Sequence, residues 1–166
     1  MEDKRILILD DKRIGHKLQR MAFEVWEHNS NEKAVTLVGI QGGGLVVAEN
    51  LAERLRTISG MDVEVVNIKM NKRNPLAEDI VLEKDLSGCS VILVDDVANS
   101  GKTLLYALKP LLNYELKKIM IAVLVDRKHK EFPVSPDIVG HSIATTIQEH
   151  ILVETEDSDI VAAYLS

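Results

Sequence analysis

The sequence is poor in cysteine and in aromatic residues, and it has no long hydrophobic run. Cys89 is the single cysteine among 166 residues, which excludes an intramolecular disulfide and predicts a protein of the reducing cytoplasm. Aromatic residues make up only 4% of the chain, so its core is predicted to be aliphatic. The first apolar run covers residues 6–9, too few for a signal peptide or a membrane-spanning helix, and no membrane association is expected.

The chain also lacks an excess of positive charge, since its net charge is −6 at pH 7. Broad nucleic-acid binding depends on basic side chains that neutralise phosphates, so binding to RNA is not expected. No internal repeat or low-complexity segment interrupts the sequence. A length of 166 residues is enough for one α/β domain with its own core, and that domain is predicted to cover 1–166.

Apolar runs typical of buried strands alternate with stripes of helical spacing. This alternation predicts an α/β fold with a doubly wound parallel sheet. Strands are predicted at 6–9, 34–40, 63–68, 91–94 and 119–125, with shorter candidates at 138–140 and 151–154. Helices are predicted around 14–25, 48–55 and 104–112, and a last helix is predicted from Ser158 to Tyr164. Residues 70–87 are polar with weak periodicity, which indicates a lid loop or small hairpin at about 69–88.

The most informative motif runs from Val91 to Thr103. Two carboxylates, Asp95 and Asp96, follow the apolar residues, and a loop with Ser, Gly, Lys and Thr then opens a helix. Carboxylates accept hydrogen bonds from vicinal hydroxyls, and N–H groups at a helix start hold phosphate. The motif therefore predicts a sugar-phosphate site. A Walker A loop is excluded because its first glycine would fall at position 96, which is Asp96.

Three further clusters follow predicted strands, and ligands of open parallel sheets bind beyond the carboxyl ends of strands. These clusters are Gly39–Gly44, Asn67–Arg73 and Asp126–His129. Taken singly, each has a plain alternative: the glycines suit a flexible turn, and the charged residues of the other two suit a solvated loop or surface. Their convergence on one edge favours a single binding site.

On these residues the chain resembles the type I phosphoribosyltransferases, whose fold adds a small hood or lid region to the parallel sheet. It is most similar to the PyrR-type family, uracil phosphoribosyltransferases that also regulate pyrimidine operons by binding RNA. The resemblance extends over nearly the whole chain. It is carried by residues 8–10, 51–54, 91–103, 124–129 and 160–164.

The resemblance implies a role for each cluster. Asp95 and Asp96 would hold the ribose hydroxyls of 5-phosphoribosyl-1-pyrophosphate (PRPP) and help to place Mg²⁺ through PRPP and water, and with Asn99 they form the implied catalytic group. The 5′-phosphate loop would be Ala98, Asn99, Ser100, Gly101, Lys102 and Thr103. The pyrophosphate loop would be Gln41, Gly42, Gly43 and Gly44, covered by Lys69, Lys72 and Arg73 of the lid. The base would contact Asp126, Arg127, Ile143, Ala144 and Thr145.

The implied activity is transfer of the phosphoribosyl group of PRPP to a nitrogenous base, with a uracil-like pyrimidine favoured, and release of pyrophosphate. It belongs to nucleotide salvage, and a homodimer or higher homo-oligomer is expected. Asn99 stands where the uracil enzymes often have Tyr, and its amide cannot accept a proton as a carboxylate does. The identity of the base is therefore left open.

Three alternatives remain. A PRPP- or nucleotide-binding regulator with little turnover is favoured by Gln41, which stands where many relatives carry a basic residue. An RNA-binding attenuator is disfavoured because Gln19 and Phe23 replace the family's Thr and His. A phospho-receiver domain is suggested by Asp10-Asp11 and Lys109-Pro110. A receiver, however, needs an aspartate where the third predicted strand has Asn67, and its Lys-Pro should follow a strand.

Overall fold

A computed structural model describes residues 5–82 and 84–166; positions 1–4, at the start of the predicted domain, and 83, in the predicted lid, lie outside it. Three helices and eight strands form within the described residues. The helices are α1 (Asp11–His28), α2 (Gly43–Ile58) and α3 (Lys102–Leu111). The strands are β1 (Ile6–Asp10), β2 (Ala34–Ile40), β3 (Asp62–Ile68), β4 (Ser90–Ala98), β5 (Lys118–Arg127), β6 (Ile138–Ile143), β7 (Ile151–Glu156) and β8 (Asp159–Leu165).

Five strands form a parallel sheet in the order β3-β2-β4-β5-β6, which confirms the predicted α/β architecture. One face packs against α1 and α2, and the other face packs against α3 and the segment before β4. Neighbouring residues of β4 alternate between these two aliphatic cores: Ile92 and Val94 join the first, while Val91 and Leu93 join the second. Because both faces are covered, the strands read as continuous apolar runs.

Helix α1 confirms the pattern that predicted it. Its buried residues are those of the apolar stripe: Ile14, Leu18, Met21, Ala22 and Val25. The helix begins where the Asp10 carboxylate accepts a hydrogen bond from the backbone N–H of Arg13 at 2.8 Å, so this acid serves as an N-cap. The Asp10-Asp11 pair that suggested a receiver therefore has a structural role.

The expected helix from Ser158 to Tyr164 is wrong, because Ser158 lies in a turn and the residues after it form the second strand of a hairpin. Asp157, with φ at 52°, turns the chain tightly between β7 and β8. The β-branched pair Ile160 and Val161 favours a strand, and an isolated seven-residue helix would be marginal. Strand β8 pairs antiparallel with both β7 and β1 to give a separate three-stranded sheet, the hood. Since β1 lies in the hood rather than in the parallel sheet, the receiver alternative is excluded.

The segment between β3 and β4 forms no helix or strand among its described residues, and its role as a lid stays a prediction. Leu82 and Leu86 bury their side chains in the core beneath α3, so the end of the segment nearer β4 is anchored. Cys89 packs partly buried against the same core at the entry to β4. None of the described helices has the length and apolarity needed to cross a membrane.

His141 on β6 should make the stability of the protein depend on pH. Partial burial lowers the pKa of His141, and the positive charges of Lys17 and Arg13 lower it further. Below about pH 6.5 the unfolded chain therefore binds more protons than the folded chain. The free energy of unfolding is not reduced by His141 above that pH, and it decreases as the pH falls toward the folded-state pKa of His141. We expect the melting temperature of His141→Gln to fall less between pH 7.5 and pH 5.5 than that of the wild type. His16→Gln is the control, and equal slopes for all three proteins would contradict the assignment.

Candidate active site

Two carboxylates stand near the carboxyl end of the central strand. Strand β4 continues past the predicted apolar run to Ala98, so Asp95 and Asp96 lie within its last residues rather than after it. Asp95 is 1% exposed, and its Oδ1 accepts the backbone N–H of Asp96 at 2.9 Å. Asp96 is half-buried, and its Oδ1 accepts the N–H of Val97 at 2.8 Å. Each carboxylate is thus held by the backbone in a fixed direction.

Electrostatics set the two acids apart from ordinary surface carboxylates. Burial raises the pKa of the Asp95 carboxyl well above its usual range, and the neighbouring Asp96 charge raises it further. The Lys72 ammonium, whose Nζ lies 3.5 Å from Asp95 Oδ1, offsets part of that rise. A buried acid beside a second acid is costly to the fold, and such costs are concentrated at functional sites.

The glycine loop between β2 and α2 lies directly against these acids. A Cβ on Gly43 would overlap the Asp96 carboxylate, and a Cβ on Gly44 would lie 2.9 Å from both Asp95 Oδ1 and the Val94 carbonyl oxygen. Gly42, with φ at 92°, turns the chain into the helix. Gln41 is exposed and is tied by its backbone N–H to the carbonyl of Ile68 at 2.8 Å. The glycines are therefore needed for close approach, and the N-terminus of α2 points to the site of the acids.

A second helix starts on the other side of the acid pair. Gly101, with φ at 85°, precedes α3, and the N–H of Lys102 approaches Ser100 Oγ at 3.3 Å. The carbonyl of Ser100 accepts the N–H groups of Glu131 and Phe132 at 3.1 and 3.0 Å, which fixes the loop from outside. The start of α3 thus lies beside the acid pair, and the backbone N–H groups of a helix start suit an anion.

A cleft of about 230 Å³ joins the acid pair to the loop before α3, whereas Gln41, Gly42, Gly43 and Gly44 do not line it, although Gly43 and Gly44 approach the acids. Its walls come from the acid pair, the loop before α3, one lid lysine and the start of β7: Lys72, Asp95–Leu104 and Ile151–Val153. Of the three basic lid residues singled out in the sequence, Lys72 reaches the cleft, whereas Lys69 and Arg73 do not line it. The sequence did not predict that residues 151–153 of the hood form a wall of the cleft, because it indicates a strand there but not where that strand lies in the fold.

The residues assigned to the base lie beside the cleft, on the next two strands. Asp126 lies opposite Ala98 in the sheet register, and its Oδ1 is 2.6 Å from Lys130 Nζ. Arg127 is buried; its Nε donates to Thr145 Oγ1 at 2.7 Å and its Nη2 donates to the Thr146 carbonyl at 2.9 Å. Ile143 ends β6 opposite Arg127, and Ala144 follows it on the exposed side. Their contact with a base stays a prediction. The sequence did not predict that Lys130 pairs with Asp126.

The residues present fit a magnesium ion that is held mainly by its substrate. Among residues 5–82 and 84–166, no group of three or more His, Cys, Asp or Glu is placed to hold a metal. Mg²⁺ keeps several waters and uses substrate phosphates together with one or two carboxylates. Asp95 and Asp96 supply two such carboxylates and no closed cage, which matches that mode of binding.

Comparison with known proteins agrees with this geometry. The family model described as phosphoribosyl transferase domain matches residues 6–158. Proteins named Bifunctional protein PyrR from Bacillus cereus and Bacillus thuringiensis are 35% identical over 179 aligned residues, which cover 99% of each chain. A hypoxanthine-guanine phosphoribosyltransferase from Bacillus anthracis shares the fold with a TM-score of 0.75 at 18% identity, covering 96% of this chain and 99% of its own. The hypoxanthine phosphoribosyltransferase of Trypanosoma cruzi has a TM-score of 0.76 at 16% identity, with 94% of each chain covered.

Proposed function

The chain belongs to the phosphoribosyltransferase domain family, and from this membership we propose that it transfers the 5-phosphoribosyl group of PRPP to a nitrogenous base with release of pyrophosphate. The single observation that carries the proposal is the acid pair Asp95–Asp96 between two helix N-termini. One helix start suits the 5′-phosphate and the other suits the pyrophosphate, while the acids suit the ribose between them. A uracil-like pyrimidine is the favoured acceptor, because relatives of the PyrR type cover the whole chain.

The chemistry requires positioning and charge stabilisation more than a protein nucleophile. The Asp95 and Asp96 carboxylates accept hydrogen bonds from the two ribose hydroxyls and orient the sugar. The N–H groups from Ser100 to Thr103, with the hydroxyls of Ser100 and Thr103, hold the 5′-phosphate. With both ends of the sugar fixed, a ring nitrogen of the base is presented to the anomeric carbon, and positive charge develops on the ribose as pyrophosphate leaves.

Magnesium is the proposed cofactor, held by PRPP oxygens and water with help from Asp95 and Asp96. It would neutralise charge that accumulates on the departing pyrophosphate. The protein's own contribution on that side is modest, because Gln41 provides no charge and Gly42, Gly43 and Gly44 provide only backbone donors. Lys72 of the lid is the cation nearest the acids, and it supplements those donors.

The proposal is tested by measuring pyrophosphate release from Mg·PRPP with a panel of bases: uracil, cytosine, hypoxanthine, guanine, adenine and orotate. We expect turnover with one class of base and none with the others, with uracil the first candidate. Absence of pyrophosphate release with every base, while Mg·PRPP still binds, would overturn the catalytic proposal.

That second outcome corresponds to the alternative function, a PRPP- or nucleotide-binding regulator of the PyrR type with little turnover. The observation that favours it is the uncharged pyrophosphate loop, since Gln41 is exposed and directs no positive charge to the leaving group. The two functions share the binding site and differ in the fate of bound PRPP. Either one suits a cytoplasmic homodimer or higher homo-oligomer, with PRPP and a base as its small-molecule partners.

Lys72 should contribute measurably to Mg·PRPP binding, although its side chain is 41% exposed. Partly exposed ion pairs are worth at most about 1 kcal/mol, so we expect Lys72→Met to weaken Mg·PRPP binding by roughly two- to fivefold in calorimetric titration. Lys69→Met is the matched control, because it removes the same charge from the same segment outside the cleft. Equal weakening by both substitutions would reduce the role of Lys72 to a general effect of charge.

A further inference from the structure

The side chain of Asn99 is occupied at both polar ends by the backbone of the hood. Its Nδ2 donates to the carbonyl oxygen of Ile151 at 3.2 Å, and the N–H of Ile151 donates to Asn99 Oδ1 at 3.2 Å. The carboxamide therefore pairs with one residue of β7 as a neighbouring strand would. An amide held in this way has one free N–H and one free lone pair at most for any other partner.

This pair joins two parts of the molecule that are far apart in the sequence. Asn99 directly follows β4 and precedes the helix start that suits the 5′-phosphate, whereas Ile151 opens β7 of the hood. Ile151 is 4% exposed, and residues 151–153 line the same cleft as the phosphate loop. The Asn99–Ile151 pair is thus a direct bond between the floor of the cleft and its hood wall.

The phosphate loop is fixed on its other flank without any side chain. The carbonyl of Ser100 accepts the N–H groups of Glu131 and Phe132, and Gly101 lies against the Phe132 carbonyl. The loop would therefore keep its position if the Asn99 side chain were shortened. What would be released is the hood wall, since its link to the loop passes through the Asn99 amide.

Building on the proposed function, we propose that Asn99 is a positioning residue that holds the hood wall at the distance required by the acceptor base. The amide acts through Ile151 and does not itself contact the base. Loss of the pair lets β7 move away from the loop, so the acceptor is oriented less well while PRPP remains seated on the acids and the phosphate loop.

Two substitutions separate this role from a direct one. Asn99→Ala removes both hydrogen bonds, and Asn99→Asp keeps the shape but places a carboxylate oxygen against the Ile151 carbonyl. For both variants we expect the KM for the base to rise about tenfold, which corresponds to losing one or two neutral hydrogen bonds, and the dissociation constant of Mg·PRPP to change less than twofold. Amide hydrogen exchange at Ile151 should accelerate in both.

Asn50→Asp is the matched control. The Asn50 amide also joins the body to the hood, through the Ser158 carbonyl at 2.9 Å, but it does not line the cleft. We expect Asn50→Asp to leave the KM for the base unchanged. A merely structural link would give the same kinetics for the Asn50 and Asn99 variants.

The rival role, in which Asn99 binds the base directly, makes the opposite prediction. A carboxylate accepts a proton that an amide cannot, so Asn99→Asp would then keep or raise kcat. That result, or unchanged exchange at Ile151 in Asn99→Ala, overturns the proposal. If the wild type turns over no base, the proposed function fails. The positioning role is then decided by Ile151 exchange and by calorimetric binding of uridine monophosphate, which should weaken in both Asn99 variants and stay unchanged in Asn50→Asp.

Discussion

Replacing both acids, as Asp95→Asn/Asp96→Asn, should weaken Mg·PRPP binding by at least about 100-fold and abolish pyrophosphate release. Each carboxylate offers a charge-assisted hydrogen bond to a ribose hydroxyl, worth about 1.5–3 kcal/mol, and two such losses correspond to roughly 10²- to 10⁴-fold. Calorimetric titration with Mg·PRPP measures the effect directly. The control is Asp62→Asn/Asp159→Asn, which changes the net charge equally at two exposed positions. Unchanged binding in the first variant would remove the acids from the site.

The single substitution Asp95→Asn should leave the protein no less stable than the wild type, so a loss of binding in this variant would not be a loss of fold. Burial and the Asp96 charge raise the pKa of Asp95 above its unfolded value, so ionisation of Asp95 opposes folding. This cost is absent below the unfolded pKa and grows as the pH rises toward the folded pKa. Asp95→Asn, melted without magnesium, should therefore gain on the wild type from pH 4 to pH 8. A melting temperature below that of the wild type at pH 8 would contradict this sign.

The sequence was sufficient for the elements whose signal is local. The five apolar positions of α1 recur at helical spacing, and all five are buried; the β2 run at 34–40 matches its strand residue for residue. The phosphate-loop glycine and the acids could also be recognised, because all of them lie within the short segment Asp95–Thr103.

Contacts between distant residues could not be predicted in this way. The link between Asn99 and Ile151 spans 52 positions, and no local pattern marks either partner. The helix predicted from Ser158 to Tyr164 was wrong for a related reason. Serine is a common helix N-cap, but pairing with β1, more than 150 residues earlier, makes β8 a strand. The Lys130–Asp126 pair was missed because a basic loop residue does not reveal that its side chain turns back into the fold.

The substitution Gly43→Ala should strongly weaken Mg·PRPP binding, because the added methyl group displaces the Asp96 carboxylate without disturbing the fold. The Cβ of Gly43→Ala would overlap the Asp96 carboxylate, so this half-buried side chain would have to give up its hydrogen bond from the N–H of Val97 and turn away from its present direction. Alanine also favours helix at the start of α2. We expect Mg·PRPP affinity to fall about tenfold to 100-fold, the loss of one charge-assisted hydrogen bond, with the melting temperature little changed.

Two other glycines show whether the effect comes from this contact. Gly15→Ala in α1 meets nothing within 4 Å, so it should leave binding unchanged and raise stability by about 0.5–1 kcal/mol. Gly44→Ala meets the Val94 carbonyl and the Asp95 Cα, which are backbone atoms that cannot turn aside, and it should cost about 1–3 kcal/mol of stability. Gly43 and Gly44 are neighbours, so a general effect on the loop would change both variants alike. If Gly43→Ala loses only binding and Gly44→Ala loses only stability, the acid pair must lie against the loop as the structure places it. Wild-type affinity for Mg·PRPP in Gly43→Ala would contradict the prediction, because Asp96 would then not need its present position to hold the ribose.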